Sequence, residues 1–526
     1  MPISFAWHFG ALGIPRNDDW AYAFAAFHVA DSAKVNGYTW AGMNLVGQLV
    51  LSVPVVKLFG DRIAALQMEV ATLGVVGLVA TFDLARQLLN PRRALFAAVL
   101  VAALPMWASL SASYMTDVPA FAFATACLAL GARGVTRHAI RPGYFGASLA
   151  IGFLAFTIRE NAIVAPLAVS AAATWVTAGR PRKQLFPIVA AIASLIASAG
   201  LFYAWRRNLP GFLNVTPRLP TLSRVGLAAL ESGQSLVLIG LLASPAVVLA
   251  DPRRLLRIAW GRARRTTLTA GLTTAGIFTV AMLRTGASAV LVPGDYFLPN
   301  GTLGSDGLKG LRPDLIPRSV VAVLAIVGAS ALVVLVCAAA ASVTNGVAHF
   351  RNQRQSAASP PLVVVTLATI AYAIACVVPV VLGYTFLFDR YLLPIIPLVA
   401  ILALRSGGPA VAISRRIRIA GCTALAALAA LGAVYGANSA AFDGTKWRVA
   451  SQAVAVAGDP KLIDGGHVWN DYHAGKHIQG HLRSPCIVLR AERHPGVGEV
   501  GIVGVGRVWG VNGTQVWVVA RQTHPC

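Results

Sequence analysis

The stretch "SVVAVLAIVGASALVVLVCAAAA", from Ser319 to Ala341, contains no charged side chain. An α-helix needs about 20 apolar residues to cross the ~30 Å hydrocarbon core of a bilayer. A continuous run of this length and composition is typical of a membrane-spanning helix. It therefore predicts that the bilayer is the solvent for at least this part of the chain.

Similar apolar runs recur along the chain, for example "RIAALQMEVATLGVVGLVATFDLA" from Arg62 and "PLVVVTLATIAYAIACVVPVVLGY" from Pro361. The 526 residues are 56% hydrophobic and only 12% charged, with a mean hydropathy of +0.67. This composition is too apolar for a soluble multidomain protein. We predict an all-α polytopic membrane protein.

The formal net charge of +24 comes from 44 Lys and Arg against 20 Asp and Glu. Basic clusters lie between the apolar runs, so the positive-inside rule explains the charge and nucleic-acid binding is excluded. If the clusters are cytoplasmic, about twelve helices follow residue 62. The clusters are Arg86–Arg93, Arg133–Arg141, Gly179–Lys183, Asp251–Arg265, His349–Gln355 and Ile413–Arg418.

The same count divides the chain into three parts. Residues 1–62 form a first outer loop, residues 63–436 form the transmembrane domain, and residues 437–526 form a small extracytoplasmic α/β or mostly β domain. An outer position for residues 1–62 implies a further helix upstream, which raises the expected total to about thirteen. Val46–Phe59, interrupted by Pro54, is too short to span easily; we expect an interfacial or re-entrant helix, with an ordinary buried helix as the alternative.

Four of the six cysteines lie in apolar runs and are expected to be buried. Cys486 and Cys526 lie in the polar C-terminal part. An extracytoplasmic location would allow them to pair as a disulfide, although two cysteines alone leave this open.

Acidic residues are scarce, and two of them are adjacent in "GIPRNDDWAYAF", from Gly13 to Phe24. Asp18 and Asp19 have an ordinary interpretation: Asn17 caps a helix and the acids occupy its first turn, where the macrodipole favours negative charge. Their place at the outer membrane boundary favours a functional interpretation, because ionisable groups at such depth are costly.

A third acid, Asp117 in "SASYMTDVPAFAF", falls at the next outer boundary on the same side. Here too a local explanation exists, because Thr116 or Asp117 can cap a helix whose first turn contains Pro119. Only the shared position of these acids suggests that they meet.

Four basic residues on the outer side are candidates for binding a phosphate, and Arg suits this role because its guanidinium presents a fork of donors. Arg159 and Arg390 are expected at the outer edges of spans, where snorkelling or an ion pair with the adjacent Glu160 or Asp389 is the alternative. Lys309 and Arg312 lie in a long loop that reads as a substrate lid or as a connector.

The C-terminal segment contains His467, His473, His477 and His481. The last three are spaced four residues apart, but intervening glycines disfavour one continuous helix and no carboxylates or cysteines complete a metal site. We favour polar surface or contact with the acceptor over metal binding.

Five short motifs, taken in order, resemble the polytopic GT-C glycosyltransferases. The bacterial branch similar to the protein mannosyltransferases and to the lipid A aminoarabinose transferase fits best. The resemblance covers roughly residues 13–405 through the motifs "RNDDWAYA", "FGDRIAAL", "MTDVPAFAF", "TIRENA" and "FDRYLLPIIP".

The resemblance implies transfer of a sugar, with inversion, from a polyprenyl-phosphate donor to a protein, lipid or glycan acceptor at the outer face of the membrane. The first-loop acid, Asp18 or Asp19, would be the base, and we favour Asp18. Asp117 would assist or help to hold a divalent metal in members that use one; no other cofactor is expected. The high Ala, Arg and Gly content is typical of a GC-rich bacterial genome and suggests a bacterial cytoplasmic membrane.

A secondary transporter or flippase for a lipid-linked or small polar substrate is the competing hypothesis. Such proteins place acids within spans and contain two similar halves. Here the acids lie at outer helix ends and no repeat is visible, which favours an enzyme.

Overall fold

The computed structural model describes most of the 526 residues. The exceptions are 38–41, 137–138, 178–181, 215–218, 287–289, 292–293, 295, 298–307, 311–315, 353–358, 384–385, 407–413, 475–484, 493, 495–500, 510–512 and 514.

The described chain is predominantly α-helical. Its first nine helices are α1 (Pro2–His8), α2 (Asp19–Ser32), α3 (Val46–Phe59), α4 (Ile63–Arg86), α5 (Pro91–Ala102), α6 (Pro105–Leu110), α7 (Asp117–Gly134), α8 (Pro142–Ile158) and α9 (Val164–Thr177). The remaining described helices are α10 (Arg182–Arg207), α11 (Leu222–Leu249), α12 (Pro252–Thr285), α13 (Arg318–Asn352), α14 (Pro360–Val381), α15 (Ile395–Ser406), α16 (Arg415–Ala457) and α17 (His467–Ala474).

Within the described residues, seven helices are long and apolar enough to cross a membrane: α4, α10, α11, α12, α13, α14 and α16. Three apolar helices, α3, α8 and α15, are shorter. The prediction of a helical multi-pass membrane protein is confirmed, whereas the count of twelve to thirteen spans is not.

Local sequence explains where several helices begin. The Asn90 side chain accepts a hydrogen bond from the Arg93 amide at 3.0 Å, and Pro91 occupies the first helical position of α5. The basic cluster Asp251–Arg265 is helical rather than a loop, because Asp251 caps α12, which then kinks at Ala263.

Helix α3 packs against α2, α4 and α8 despite its internal Pro54. One side of α3 is buried, including Leu49 and Ser52, while Leu58 and Phe59 near its end are exposed. The structure thus gives a largely apolar helix with one side buried against its neighbours.

The C-terminal part contains the expected small sheet. Its strands are β1 (Lys309–Gly310), β2 (Ile463–Asp464), β3 (Ile487–Glu492), β4 (Ile502–Trp509) and β5 (Gln515–Gln522). The order is β1-β3-β5-β4, with β2 also paired to β3; β1 and β2 run parallel to β3, and β5 is antiparallel to both β3 and β4.

Helix α16 joins the two parts of the molecule. It continues through the boundary predicted at residue 437, and its C-terminal half packs against β4 and β5. At Gly444, an added Cβ would collide with the Phe9 carbonyl oxygen, so glycine allows the loop after α1 to lie directly on α16. This contact holds the first outer loop against α16.

Candidate active site

Asp18 and Asp19 are adjacent in sequence but differ in their surroundings. Asp19 is 1% exposed, and its two carboxylate oxygens accept hydrogen bonds from the Arg16 amide at 2.6 Å and the Tyr114 amide at 3.3 Å. Burial raises the pKa of Asp19 well above its usual value, and the two amide hydrogen bonds lower it in part. Asp19 therefore ties the segment before α2 to the segment before α7.

Asp18 occupies the N-cap position of α2, but its side chain makes no capping hydrogen bond. The expected cap, Asn17, instead has a left-handed backbone conformation and donates from Nδ2 to the Tyr296 hydroxyl at 2.9 Å. The structure therefore differs from the ordinary interpretation, in which the Asn17 side chain caps α2. The Asp18 carboxylate is left partly exposed beside the long outer loop.

Arg16 fixes this segment to α16. Its Nε lies 2.8 Å from Asp443 Oδ2, and its Nη2 donates to Ser439 Oγ at 2.7 Å and to Ser109 Oγ at 3.1 Å. The guanidinium is buried, so each bond forms away from water, where charge-assisted hydrogen bonds are strong.

Asp117 pairs with Arg159, although the sequence suggested Glu160 as the arginine's alternative partner. Arg159 Nη1 lies 2.8 Å from Asp117 Oδ1 and donates to Thr116 Oγ1, also at 2.8 Å. Glu160 instead accepts a hydrogen bond from the Asn44 amide. Neither Thr116 nor Asp117 caps α7 through its side chain, so these groups are used to position the arginine.

Asp117 Oδ2 is buried and has no hydrogen-bond partner among the described residues. It borders a narrow cleft between α7, the turn after α8 and the turn before α15. The polar and aromatic residues of this cleft are Asp117, Phe121, Arg159, Asn161, Tyr372, Arg390 and Tyr391.

Arg390 enters the same cleft from the "FDRY" motif. Asp389 beside it is fully buried and accepts hydrogen bonds from the amides of Tyr296 and Phe297. The Arg390 guanidinium carbon lies 5.7 Å from the Tyr391 ring centroid, and that of Arg159 lies 4.9 Å from the same ring. The two cations therefore flank one aromatic side chain.

The pKa of the Tyr22 hydroxyl is affected by charges from both the first loop and this cleft. Burial raises the pKa of Tyr22 well above its usual value; the charges of Asp18 and Asp117 raise it further, while those of Arg390 and Arg159 lower it. Four charged residues from separate segments thus act on one hydroxyl. Of the sequence-predicted residues, Asp117, Arg159 and Arg390 line one cleft, and Asp18 lies at the start of α2 outside that lining.

A histidine from the C-terminal part faces Asp18. His467 Nε2 lies 3.9 Å from Asp18 Oδ1, and His467 Nδ1 lies 2.6 Å from Asp471 Oδ2 on the next turn of α17. The neighbouring carboxylates of Asp18 and then Asp471 raise the pKa of His467 to about 10, against the opposing effect of burial. His467 is therefore a cation at neutral pH.

The other predicted phosphate ligands lie elsewhere. Lys309 is 60% exposed, and its Nζ lies 2.9 Å from Asp464 Oδ2 while its backbone belongs to β1. Lys309 thus joins the long outer loop to the C-terminal sheet. Arg312 lies outside the described residues.

Metal ligands do not cluster in the described part of the chain: no group of three His, Cys, Asp or Glu side chains is suitably placed. His473 packs against Trp469, and burial lowers its pKa to about 4; His477 and His481 lie outside the described residues. The one open carboxylate oxygen of Asp117 has the Arg159 cation as a neighbour, so this donor set does not fit a divalent metal.

Cys486 and Cys526 form a disulfide that closes the end of the chain onto β3, with their Cα atoms 5.3 Å apart. The pairing that the sequence left open is therefore present in the structure.

Sequence reasoning missed His467, Tyr22, Tyr296 and Tyr391. The histidine was expected at a polar surface or in contact with the acceptor, since nothing in its local sequence indicates a partner some 450 residues away. Tyr22 and Tyr391 stand next to the motifs "DDWAYA" and "FDRY", and this proximity was the available signal.

Comparison with known proteins gave one family match. Residues 49–208 match the model of the dolichyl-phosphate-mannose-protein mannosyltransferases. This segment runs from α3 to just beyond α10 and includes Asp117 and Arg159. The match confirms the resemblance to GT-C glycosyltransferases that the motifs indicate. No curated protein matches the chain.

Three solved structures resemble the chain at low sequence identity. ArnT from Cupriavidus metallidurans in the apo state is 14% identical with a TM-score of 0.39, covering 98% of this chain and 95% of that one. The same protein bound to undecaprenyl phosphate is 13% identical with a TM-score of 0.36, covering 99% and 97%. The apo oligosaccharyltransferase from Archaeoglobus fulgidus is 14% identical with a TM-score of 0.43, covering 86% of this chain and 57% of that one.

Proposed function

We propose that this protein is an integral membrane glycosyltransferase that moves a sugar from a polyprenyl-phosphate donor to an acceptor hydroxyl at the outer membrane face. The observation that carries the proposal is the cleft lined by Asp117, Arg159 and Arg390, in which Arg159 Nη1 lies 2.8 Å from Asp117 Oδ1. Asp18 lies at the start of α2, and its charge and those of the three cleft residues influence the pKa of Tyr22. Perturbed ionisable groups meeting beside a cleft are typical of catalytic sites.

Asp18 is the better candidate for the base. A general base must reach the proton that it removes, and Asp18 is partly exposed whereas both oxygens of Asp19 are bound to backbone amides. In this proposal Asp18 is the catalytic residue and Asp19 is a positioning residue that holds the loop.

Arg159 and Arg390 provide the phosphate-binding charge. The leaving polyprenyl phosphate gains negative charge as its bond to the sugar breaks, and fixed guanidinium groups stabilise that charge. Asp117 acts by holding Arg159, and its open oxygen is available to accept a hydrogen bond from a sugar hydroxyl. No step is assigned to a metal.

The proposed step is a single displacement with inversion. The acceptor oxygen forms a bond to C1 of the sugar while its proton passes to the Asp18 carboxylate. The bond between C1 and the phosphate oxygen breaks, and its electron pair leaves with the polyprenyl phosphate. Protonated Asp18 then returns its proton to water.

The dolichyl-phosphate donor named for the matched family is itself a polyprenyl phosphate, which supports the donor class. The basic clusters favour the opposite, cytoplasmic side for the loops that contain them. The Cys486–Cys526 disulfide fits an oxidising compartment for the C-terminal part, as expected at the outer face of a bacterial cytoplasmic membrane. We retain residues 437–526 as the extracytoplasmic domain.

Sugar transfer tests the proposal directly. Membranes containing the full chain are incubated with radiolabelled polyprenyl-phosphate sugars that differ in the sugar, and transfer to endogenous protein, lipid and glycan is measured. Asp18→Asn is expected to abolish transfer. Asp31→Asn is the matched control, because Asp31 is an exposed acid at the far end of α2. Absence of transfer from every donor by folded protein would contradict the proposal and favour a transporter.

Orientation is tested separately. Lys461→Cys, in the C-terminal part, should react with a membrane-impermeant maleimide in intact cells, whereas Arg92→Cys at the start of α5 should not; both positions are exposed. The reverse labelling pattern would place the proposed site on the cytoplasmic side.

A further inference from the structure

A second cleft, of about 520 Å³, lies between α1, α16 and β4. The side chains that give this cleft its chemistry are Trp7, His8, Asn438, Arg448, Arg507 and Trp509. None of them belongs to the proposed active site.

Helix α16 separates the two sites. Asn438, Thr445 and Arg448 recur at helical spacing and line the second cleft. Ser439 and Asp443 point to the other side of α16, where they hold Arg16 of the first loop. A ligand in the second cleft would therefore contact the opposite face of the helix that anchors the loop of Asp18.

The aromatic groups of the cleft are open. Trp7 is 73% exposed and Trp509 is 53% exposed, so both indole rings are accessible at the cleft. Flat aromatic surfaces with this exposure suit the apolar faces of sugar rings, and the indole also carries a polar edge.

The charged groups of the cleft are cationic. Arg448 and Arg507 are exposed, and the Arg507 guanidinium carbon lies 4.3 Å from the Trp509 ring centroid. No acidic residue is among the described residues that line the cleft. This combination favours an anionic group, because guanidinium forks bind phosphate and carboxylate through paired hydrogen bonds.

Asn438 provides the independent indication of a ligand. Its side chain is only 3% exposed, and its Nδ2 has no hydrogen-bond partner among the described residues. A buried amide donor without a partner is costly, and a ligand oxygen in the cleft would satisfy it.

The height of the cleft indicates where its ligand comes from. Helix α16 begins at Arg415 in a basic cluster, and residue 437 lies ~33 Å further along the helix, about one hydrocarbon thickness away. The cleft therefore begins at the bilayer surface and extends outward to β4. A ligand attached to a lipid would reach it from the membrane.

We infer that the cleft between α1, α16 and β4 is a binding site for the anionic sugar headgroup of a membrane lipid, separate from the site of transfer. Trp7 and Trp509 contact the sugar ring, Arg448 and Arg507 bind the anionic group, and Asn438 donates to a ring oxygen or hydroxyl. This inference does not rest on the proposed transfer, because binding is measured without it.

Binding to nanodiscs tests the inference. The purified full chain is titrated against nanodiscs that contain phosphatidylinositol, phosphatidylglycerol or phosphatidylcholine, and against free glucose 6-phosphate. Phosphatidylinositol supplies a sugar-like ring with phosphate, whereas phosphatidylglycerol supplies the charge without a ring. We expect binding to phosphatidylinositol nanodiscs that is at least tenfold tighter than binding to either other nanodisc.

Variants locate the binding. Arg448→Gln and Arg507→Gln should each weaken binding of phosphatidylinositol nanodiscs about tenfold, as expected for loss of a charge-assisted hydrogen bond. Trp509→Ala should weaken it several-fold, and Arg507→Lys should fall between the wild type and Arg507→Gln. Arg490→Gln is the matched control, because it removes an exposed cation of β3 outside the cleft. Gel filtration in detergent checks that each variant is folded.

Two results would overturn the inference. Equal binding of phosphatidylglycerol and phosphatidylinositol, unaffected by Trp509→Ala, would reveal only a cationic membrane-facing surface. Binding of free glucose 6-phosphate at least as tight as that of phosphatidylinositol nanodiscs, with the same sensitivity to the variants, would assign the cleft to a soluble ligand instead of a lipid headgroup.

Discussion

The two adjacent carboxylates of the first loop have different surroundings. Asp19 is buried and accepts hydrogen bonds from the backbone amides of Arg16 and Tyr114. Asp18 is partly exposed and faces His467 of the C-terminal part. The difference teaches that adjacent acids of one motif can have different environments: two backbone amides hold Asp19, whereas Asp18 is partly exposed.

Asp117 extends this comparison, because its two carboxylate oxygens have different surroundings. One oxygen of Asp117 binds Arg159 and the other borders the cleft. Variants of these contacts separate effects on structure from effects on transfer.

Arg159→Gln is expected to have the largest effect among the charges of the cleft. Removing a buried cation from the developing phosphate should lower the transfer rate by about 10²–10³. It also leaves Asp117 as an uncompensated buried charge, which should cost about 3–5 kcal/mol of stability. Transfer rates and thermal unfolding of the purified protein check both effects.

The double variant Asp117→Asn/Arg159→Gln provides the control. It should recover part of the stability without recovering transfer, since the unpaired charge is gone but the phosphate ligand is still absent. Recovery of transfer in the double variant would contradict the role given to Arg159.

His467→Gln should have a smaller effect, lowering transfer about three- to tenfold by removing a cation that holds Asp18. Because the pKa of His467 is raised to about 10, its contribution to stability is present below its unfolded value near 6.5 and is lost as the pH rises through about 10. The wild type should therefore lose stability across this interval relative to the variant. Unfolding curves between pH 6 and pH 10.5 measure the difference; parallel curves would show that His467 and Asp18 are not coupled.

Lys309→Ala should have the smallest effect. Lys309 was predicted from sequence as a phosphate ligand, but it is exposed and pairs with Asp464, and exposed ion pairs contribute about 0–1 kcal/mol. Transfer should change by less than about twofold. A fall comparable to that of Arg159→Gln would restore Lys309 to the phosphate-binding group.

The sequence was most informative where one local property decides the outcome. Apolar runs predicted the membrane helices, the change in composition after Phe442 predicted a small sheet, and the scarcity of acids drew attention to Asp18 and Asp117. Arg159 and Arg390 were proposed as phosphate ligands because their motifs place them at helix ends, and this role stays a prediction.

The remaining features depend on contacts between distant segments. The local sequence predicts Asp19 as an acid in the first turn of a helix. In the structure, its carboxylate also accepts a hydrogen bond from the Tyr114 amide in a distant segment. The sequence predicts Lys309 as a cation in a loop, whereas the structure places it in β1, paired with β3. The sequence predicts His467 at the surface or in contact with the acceptor, whereas α17, which contains it, packs against α2. The count of about twelve to thirteen spans stays a prediction, since seven described helices have the length and hydropathy of a span and three further apolar helices, α3, α8 and α15, are shorter.

The matched pair Asp18→Asn and Asp19→Asn tests the central claim most directly, with transfer and thermal unfolding measured on the same preparations. Asp18→Asn should reduce transfer by about 10²–10⁴ through loss of the base and should lower stability less than Asp19→Asn does, through loss of its interaction with His467. Asp19→Asn should lower stability by about 1–3 kcal/mol, because an amide cannot accept both backbone hydrogen bonds. Full transfer by Asp18→Asn, together with loss of transfer by a normally stable Asp19→Asn, would contradict the account and make Asp19 the base.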